Sequence, residues 1–105
     1  MISIELLGEV LDASVYELKI KGNTVFAVYD NGMPLMNDIP INIYELAHKC
    51  KEWAHSRNFM IQSYLYNTKA RADLLSSCDV DEKFIADTEP EAIFKACEWI
   101  LKAKR

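Results

Sequence analysis

DTEPEAIFKACEWIL, residues 87–101, is the stretch on which the fold turns. Thr88 followed three residues later by Glu91 forms a capping box, and the early Pro90 is tolerated because first-turn amides have no intrahelical partner to lose. A helix is therefore predicted from about residue 89. Its polar residues Glu91, Lys95, Glu98, Lys102 and Arg105 fall on one ridge, with Glu91/Lys95 and Glu98/Lys102 in the favourable i,i+4 order. Ala92, Ile93, Phe94, Ala96, Cys97, Trp99, Ile100 and Leu101 occupy the rest of the circumference. A helix lying on a sheet beside solvent needs an apolar arc little wider than about 100°. This helix should touch two neighbours: a sheet, and a second surface for which the first helix, the N-terminal hairpin and another copy of the protein are all open.

Upstream, Asn42 with Glu45 is a second capping box, and Ile43, Leu46, Ala47, Cys50, Trp53 and Ala54 recur at helical spacing, predicting a helix over about 43–57. FMIQSYLY, residues 59–66, alternates as a strand: Phe59, Ile61 and Leu65 share one face, Met60, Gln62, Tyr64 and Tyr66 the other. Asn67 and Thr68 suit a turn. Residues 70–76 and 82–87 read as two further strands, joined by a polar loop around SCDVDE. Nearer the N-terminus, SVYELKIKGNTVFAVYDNG reads as a hairpin on a two-residue Gly22-Asn23 turn, with Gly at the position that requires positive φ in a type II′ loop. That turn sets Ile20 opposite Val25, Leu18 opposite Ala27 and Tyr16 opposite Tyr29 on one face, and Lys19 opposite Phe26 and Glu17 opposite Val28 on the other. ISIELLGEVL is expected as a third strand, with a short helix as the alternative, and residues 30–40 as a connecting loop. The expected class is α+β: a β-hairpin or meander over residues 1–40, then an α-β-β-β-α unit over 41–105, forming one compact domain.

Residues 42–103, read as helix, three strands and helix, resemble in order and size the double-stranded RNA-binding domain. The resemblance covers about 60 % of the chain and implies two helices side by side on one face of an antiparallel sheet. It does not carry RNA binding with it. That family places lysines at the start of its last helix, where this chain has Thr88, Glu89, Pro90 and Glu91. Carboxylates complement a helix N-terminus but repel phosphate. The segments AHKCKEWA and DTEPEAIFKACEWIL also look like parts of small uncharacterised bacterial and prophage proteins, a resemblance that implies no activity.

Half of the 105 residues are apolar and only three are glycine, an ordinary globular composition. The net charge of −4 belongs to residues 1–40, which hold six acids and two bases, whereas 41–105 hold ten of each. That balance argues against nonspecific nucleic-acid binding, which draws its affinity from phosphate neutralisation. No apolar run reaches the length of a membrane span or signal peptide, so a cytoplasmic protein is expected, with three reduced cysteines.

Candidate chemistry is sparse. No GxGxxG, GxxxxGK[ST] or GxSxG occurs, and no cofactor and no catalytic residue is expected. His48, Glu52 and His55 lie on one ridge of the first long helix and could supply three ligands to a borderline metal, against the ordinary alternative of a solvated polar face. Cys78 sits among carboxylates, which raise a thiol pKa instead of activating it. If the helices cover one side of the sheet, Met60, Tyr64 and Tyr66 lie on the other, and exposed aromatics with Met favour protein contact unless the N-terminal hairpin folds over them. The sequence thus favours a small non-enzymatic protein-interaction module, expected to be homodimeric, contacting its partner through Phe94 and Trp99 or through Tyr64, Tyr66 and Met60. A nucleic-acid binder using Lys49, Lys51, Arg57, Lys69 and Arg71 is the alternative, and a metal-binding protein or metal-dependent enzyme the third.

Overall fold

The computed structural model describes residues 2–30, 36–76 and 79–103. In chain order the elements are α1 (Ile4–Leu11), β1 (Val15–Lys21), β2 (Thr24–Asp30), β3 (Met36–Asn42), α2 (Ile43–Ser56), β4 (Met60–Tyr66), β5 (Lys69–Ser76), β6 (Asp79–Ala86) and α3 (Glu89–Ala103). The strands form two antiparallel sheets, ordered β1-β2-β3 and β4-β5-β6. The molecule is therefore α+β, with a meander followed by helix, three strands and helix.

The hairpin register follows from its turn. Gly22 takes φ +59°, Lys21 pairs with Thr24, Ile20 with Val25 and Leu18 with Ala27, as the type II′ geometry requires. Beyond Glu17 the ladder shifts, so that Val15, not Tyr16, meets Tyr29. A bulge there lets Tyr16 turn outward, and it is exposed.

Two N-terminal expectations are corrected. ISIELLGEVL supplies no strand; its residues 4–11 form α1, capped by the Ser3 hydroxyl, which accepts from the Leu6 amide at 3.1 Å. The alternation of Ile2, Ile4 and Leu6 imitates a strand, yet Leu6, Leu7, Val10 and Leu11 repeat at helical spacing and face the core, while Ile4 is exposed. The helix stops at Asp12, which is left-handed at φ 53°. Gly8 permits the sharp return into β1, because a Cβ there would stand 2.9 Å from the Ala13 carbonyl oxygen. The third strand of the meander comes from residues 36–42, of which 36–40 fall within the span expected as a loop; Pro40 is accommodated because β3 is an edge. Residues 31–35 of that span lie outside the described residues. Likewise β6 begins at Asp79, so part of the expected acidic loop is strand, and Cys78 lies outside the described residues.

The local signals downstream are realised. Asn42 caps α2 by accepting from the Tyr44 amide at 2.9 Å, and Thr88 caps α3 by accepting from Glu91 at 3.3 Å. Asn67 adopts φ 56° in the two-residue turn between β4 and β5, a conformation Asn tolerates better than most residues.

Helices α2 and α3 pack together, and both lie on the side of the second sheet that presents Ile61, Ala70, Ala72, Leu74 and Ala86. Helix α1 reaches α2 and α3 from the meander side, where Leu6 and Leu7 are wholly buried. The same buried cluster runs from Val25 and Ala27 of the meander to Ile100 and Leu101 of α3. Even the polar ridge of α3 is engaged: Glu98 accepts from the Ser3 amide at 3.0 Å and hydroxyl at 2.7 Å, and Lys95 donates to the Ile85 carbonyl at 2.9 Å. The second neighbour of α3 is thus within the chain. Because α1 covers that surface, Leu6→Ala should lower unfolding stability by about 2–5 kcal/mol, as for other fully buried leucines. Urea denaturation followed by far-UV circular dichroism measures it; a loss below about 1 kcal/mol would mean that α1 is dispensable.

Candidate interaction surface

A two-residue turn at Asn67-Thr68 pairs Tyr66 with Lys69, Tyr64 with Arg71, Gln62 with Asp73 and Met60 with Leu75. Since side chains alternate along a strand, all eight stand on the sheet face away from the helices. Strand β6 adds Ile85 opposite Arg71 and Lys83 opposite Asp73. Among the described residues no element covers this face: Tyr66 is 61 % exposed, Ile85 58 % and Met60 52 %.

At its centre lies a closed polar group. The Arg71 Nε donates to Asp73 Oδ1 at 2.7 Å and the Tyr64 hydroxyl donates to Oδ2 at 3.2 Å, while the guanidinium stands 5.8 Å from the Tyr64 ring centroid. Asp73 is consequently buried although it sits on the open face. Desolvation, together with the bond to Asp73, pushes the Tyr64 phenol above its ordinary pKa, and the same carboxylate raises that of Arg71. Tyr64 and Arg71 are thus tied to the two oxygens of one carboxylate. Beside it, Tyr66, Lys69, Arg71 and Ile85 border a cleft of about 250 Å³.

The other expected site residues fall elsewhere. Phe94 is 1 % exposed and belongs to the core, so it cannot meet a partner. Trp99 is half-buried with its ring edge-on to Phe59 at 6.3 Å. His48 Nε2 lies 3.6 Å from Glu52 Oε1 on an exposed ridge, and among the described residues no group of three His, Cys, Asp or Glu side chains, His48, Glu52 and His55 included, is placed to hold a metal ion. Of the cations proposed for nucleic acid, Arg57 pairs with Glu9 at 2.9 Å and covers the Trp53 ring, Lys69 pairs with Asp87, and Arg71 is held by Asp73. Lys49 and Lys51 lie on α2, so the five form no stripe. Cys97 donates to the Cys50 carbonyl at 3.5 Å; its side-chain interaction with Cys50, together with burial, raises its thiol pKa, marking a structural cysteine. No helix among the described residues is long and apolar enough to cross a membrane.

Ile85, Arg71 and Asp73 were not anticipated on this surface, although the signal existed. Counting outward from the Asn67-Thr68 turn places Arg71 and Asp73 on the tyrosine face. Comparison with known proteins returns no match, whether to a protein-family model, a curated protein or a solved structure.

Two outcomes follow from the electrostatics. Asp73→Ala should cost about 1–3 kcal/mol, the penalty for stranding a partly buried donor, and should bring the Tyr64 phenol back toward its ordinary pKa; an unchanged Tyr64 titration by NMR would refute the assignment. The bond from Lys69 holds Asp87 below the usual carboxylate range. Its folded-state pKa being depressed, the pair stabilises the fold above the ordinary carboxylate pKa, and that contribution is lost as pH falls through the lower folded value. Both groups are exposed, so the stability effect is small. Lys69→Met should raise the Asp87 pKa in a carboxyl-detected NMR titration.

Proposed function

We propose that this protein is a small non-enzymatic protein-interaction module whose contact surface is the uncovered face of the β4-β5-β6 sheet. The observation that carries this reading is the grouping of Met60, Tyr66 and Ile85, each more than half exposed, around the fixed Tyr64–Arg71–Asp73 centre. Aromatic, Met and Arg side chains are the types enriched where proteins meet, and a contact point already held rigid loses little side-chain entropy on binding. Protein, as a copy of itself or a different chain, is the partner class that suits a flat face with one small cleft.

The test is protection of Tyr64 and Tyr66 from oxidative footprinting, read at low and high protein concentration and in an extract of the source cells, beside solution mass. Protection in at least one condition, reduced about tenfold or more by Tyr66→Glu without loss of thermal stability, is the expected result; tenfold corresponds to about 1.4 kcal/mol. A chain that stays at 12.1 kDa throughout, with both tyrosines equally modified in every condition, would remove the reading.

A further inference from the structure

The four sheet edges of this molecule are not alike. Strand β1 (VYELKIK) carries Glu17, Lys19 and Lys21 and a bulge at its start. Strand β3 (MNDIPIN) carries Pro40, and β6 (DVDEKFIA) carries Glu82 and Lys83 next to a register shift at Leu74/Leu75. Charges, proline and bulges are the devices that keep sheet edges from pairing with other chains. Strand β4, MIQSYLY, has none of them over seven residues, keeps an unbroken register with β5, and among the described residues pairs with β5 alone. It also carries the most exposed large apolar side chain of the sheet: Leu65, on the helix-bearing side, is 74 % exposed, more than Tyr66 or Met60 on the open side.

Resting on the interaction-module reading, we infer that the partner is a second copy of this chain, joined edge to edge through antiparallel β4 strands about a two-fold axis at Ser63. The sequence of the strand is self-complementary in that register. Ser63 meets its own copy once, on the axis, while Ile61 meets Leu65, Gln62 meets Tyr64 and Met60 meets Tyr66, each of these three pairs occurring twice. Leu65 thereby gains an apolar neighbour on the helix side, where Tyr44, itself exposed, borders a small pocket reaching Ser63. On the open side the Met60 thioether faces the Tyr66 ring, a favourable sulfur–aromatic contact. No charge lies on β4 to oppose its copy, and the two rows that pass through Gln62 and Tyr64 run Arg71, Tyr64, Gln62, Asp73 across the joined sheets, so the charges at their ends have opposite sign. The pairing joins two three-stranded sheets into one of six strands and makes the two open faces continuous. A seven-residue ladder is a small contact beside the roughly 1,600 Å² of a standard interface, so the dimer forms as concentration rises.

Sedimentation velocity of the full chain over a concentration series tests this, with Ser63→Lys, Ser63→Asp, Leu65→Lys and Ile85→Glu as variants. The wild type should move from 12.1 kDa toward twice that mass. Ser63→Lys and Ser63→Asp should each stay monomeric, since like charges then face across the axis, and an equimolar mixture should regain the dimer. Ile85→Glu, on β6, should dimerise like the wild type. Leu65→Lys, at a largely exposed position, should weaken association at least tenfold and keeps the test open should either Ser63 variant fail to fold. A wild type monomeric at every concentration overturns the inference, as does a dimer indifferent to the β4 variants or single variants that do not rescue each other. If Ile85→Glu alone abolishes association, the open face is the contact and the interaction reading survives without edge pairing.

Discussion

Helix α3 is apolar around all but one ridge, and in a chain of 105 residues that surface has to be covered from several directions at once. The sheet takes one side, α2 the next, and α1 completes the enclosure with Leu6 and Leu7. The alanines at 70 and 72 matter here, because their small side chains let α3 settle closely on β5. Once the helices are committed to one side, nothing remains in the described chain to cover the other. The molecule is accordingly only 17 Å through its thinnest dimension, too thin for a third layer.

The uncovered face is therefore a consequence of how the core is satisfied. It is stabilised from within by a carboxylate that would be costly to bury alone. Asp73 is tolerated because Arg71 and Tyr64 occupy both of its oxygens, and each of those side chains is itself anchored by the contact. The result is a polar support under an apolar rim, beside one sheet edge that lacks the charges protecting the others. The thiols of Cys50 and Cys97 and the exposed His48–Glu52 pair stand apart from it, the first in the helix interface and the second on a solvated ridge.

How much of this was legible depends on the range of the contacts involved. The Gly22-Asn23 turn, the caps at Asn42 and Thr88 and the alternation of MIQSYLY each involve residues within a few positions of one another, so each could be read directly. The hairpin register was correct until the bulge near Val15, where a local shift that no residue type announces displaced Tyr16. ISIELLGEVL misled because Ile2, Ile4 and Leu6 carry a period of two while Leu6, Leu7, Val10 and Leu11 carry the helical period. Which period prevails is settled by where Leu6 and Leu7 find their burial, and that lies on α2 and α3, far along the chain.

The same distinction separates the two halves of the site. The sequence by itself determined that Tyr64 and Tyr66 share a face, that α3 would need more than one neighbour, and that the start of α3 is acidic, because strand alternation, helical periodicity and side-chain charge are properties of neighbouring residues. Only the tertiary structure decided that α2 and α1 together cover α3, that Phe94 is core, that Arg71 is spent on Asp73 and that the face beneath Tyr64 stays open. Those outcomes depend on which distant surfaces exclude water from one another, and burial of that kind is a property of the assembled layers, not of any segment.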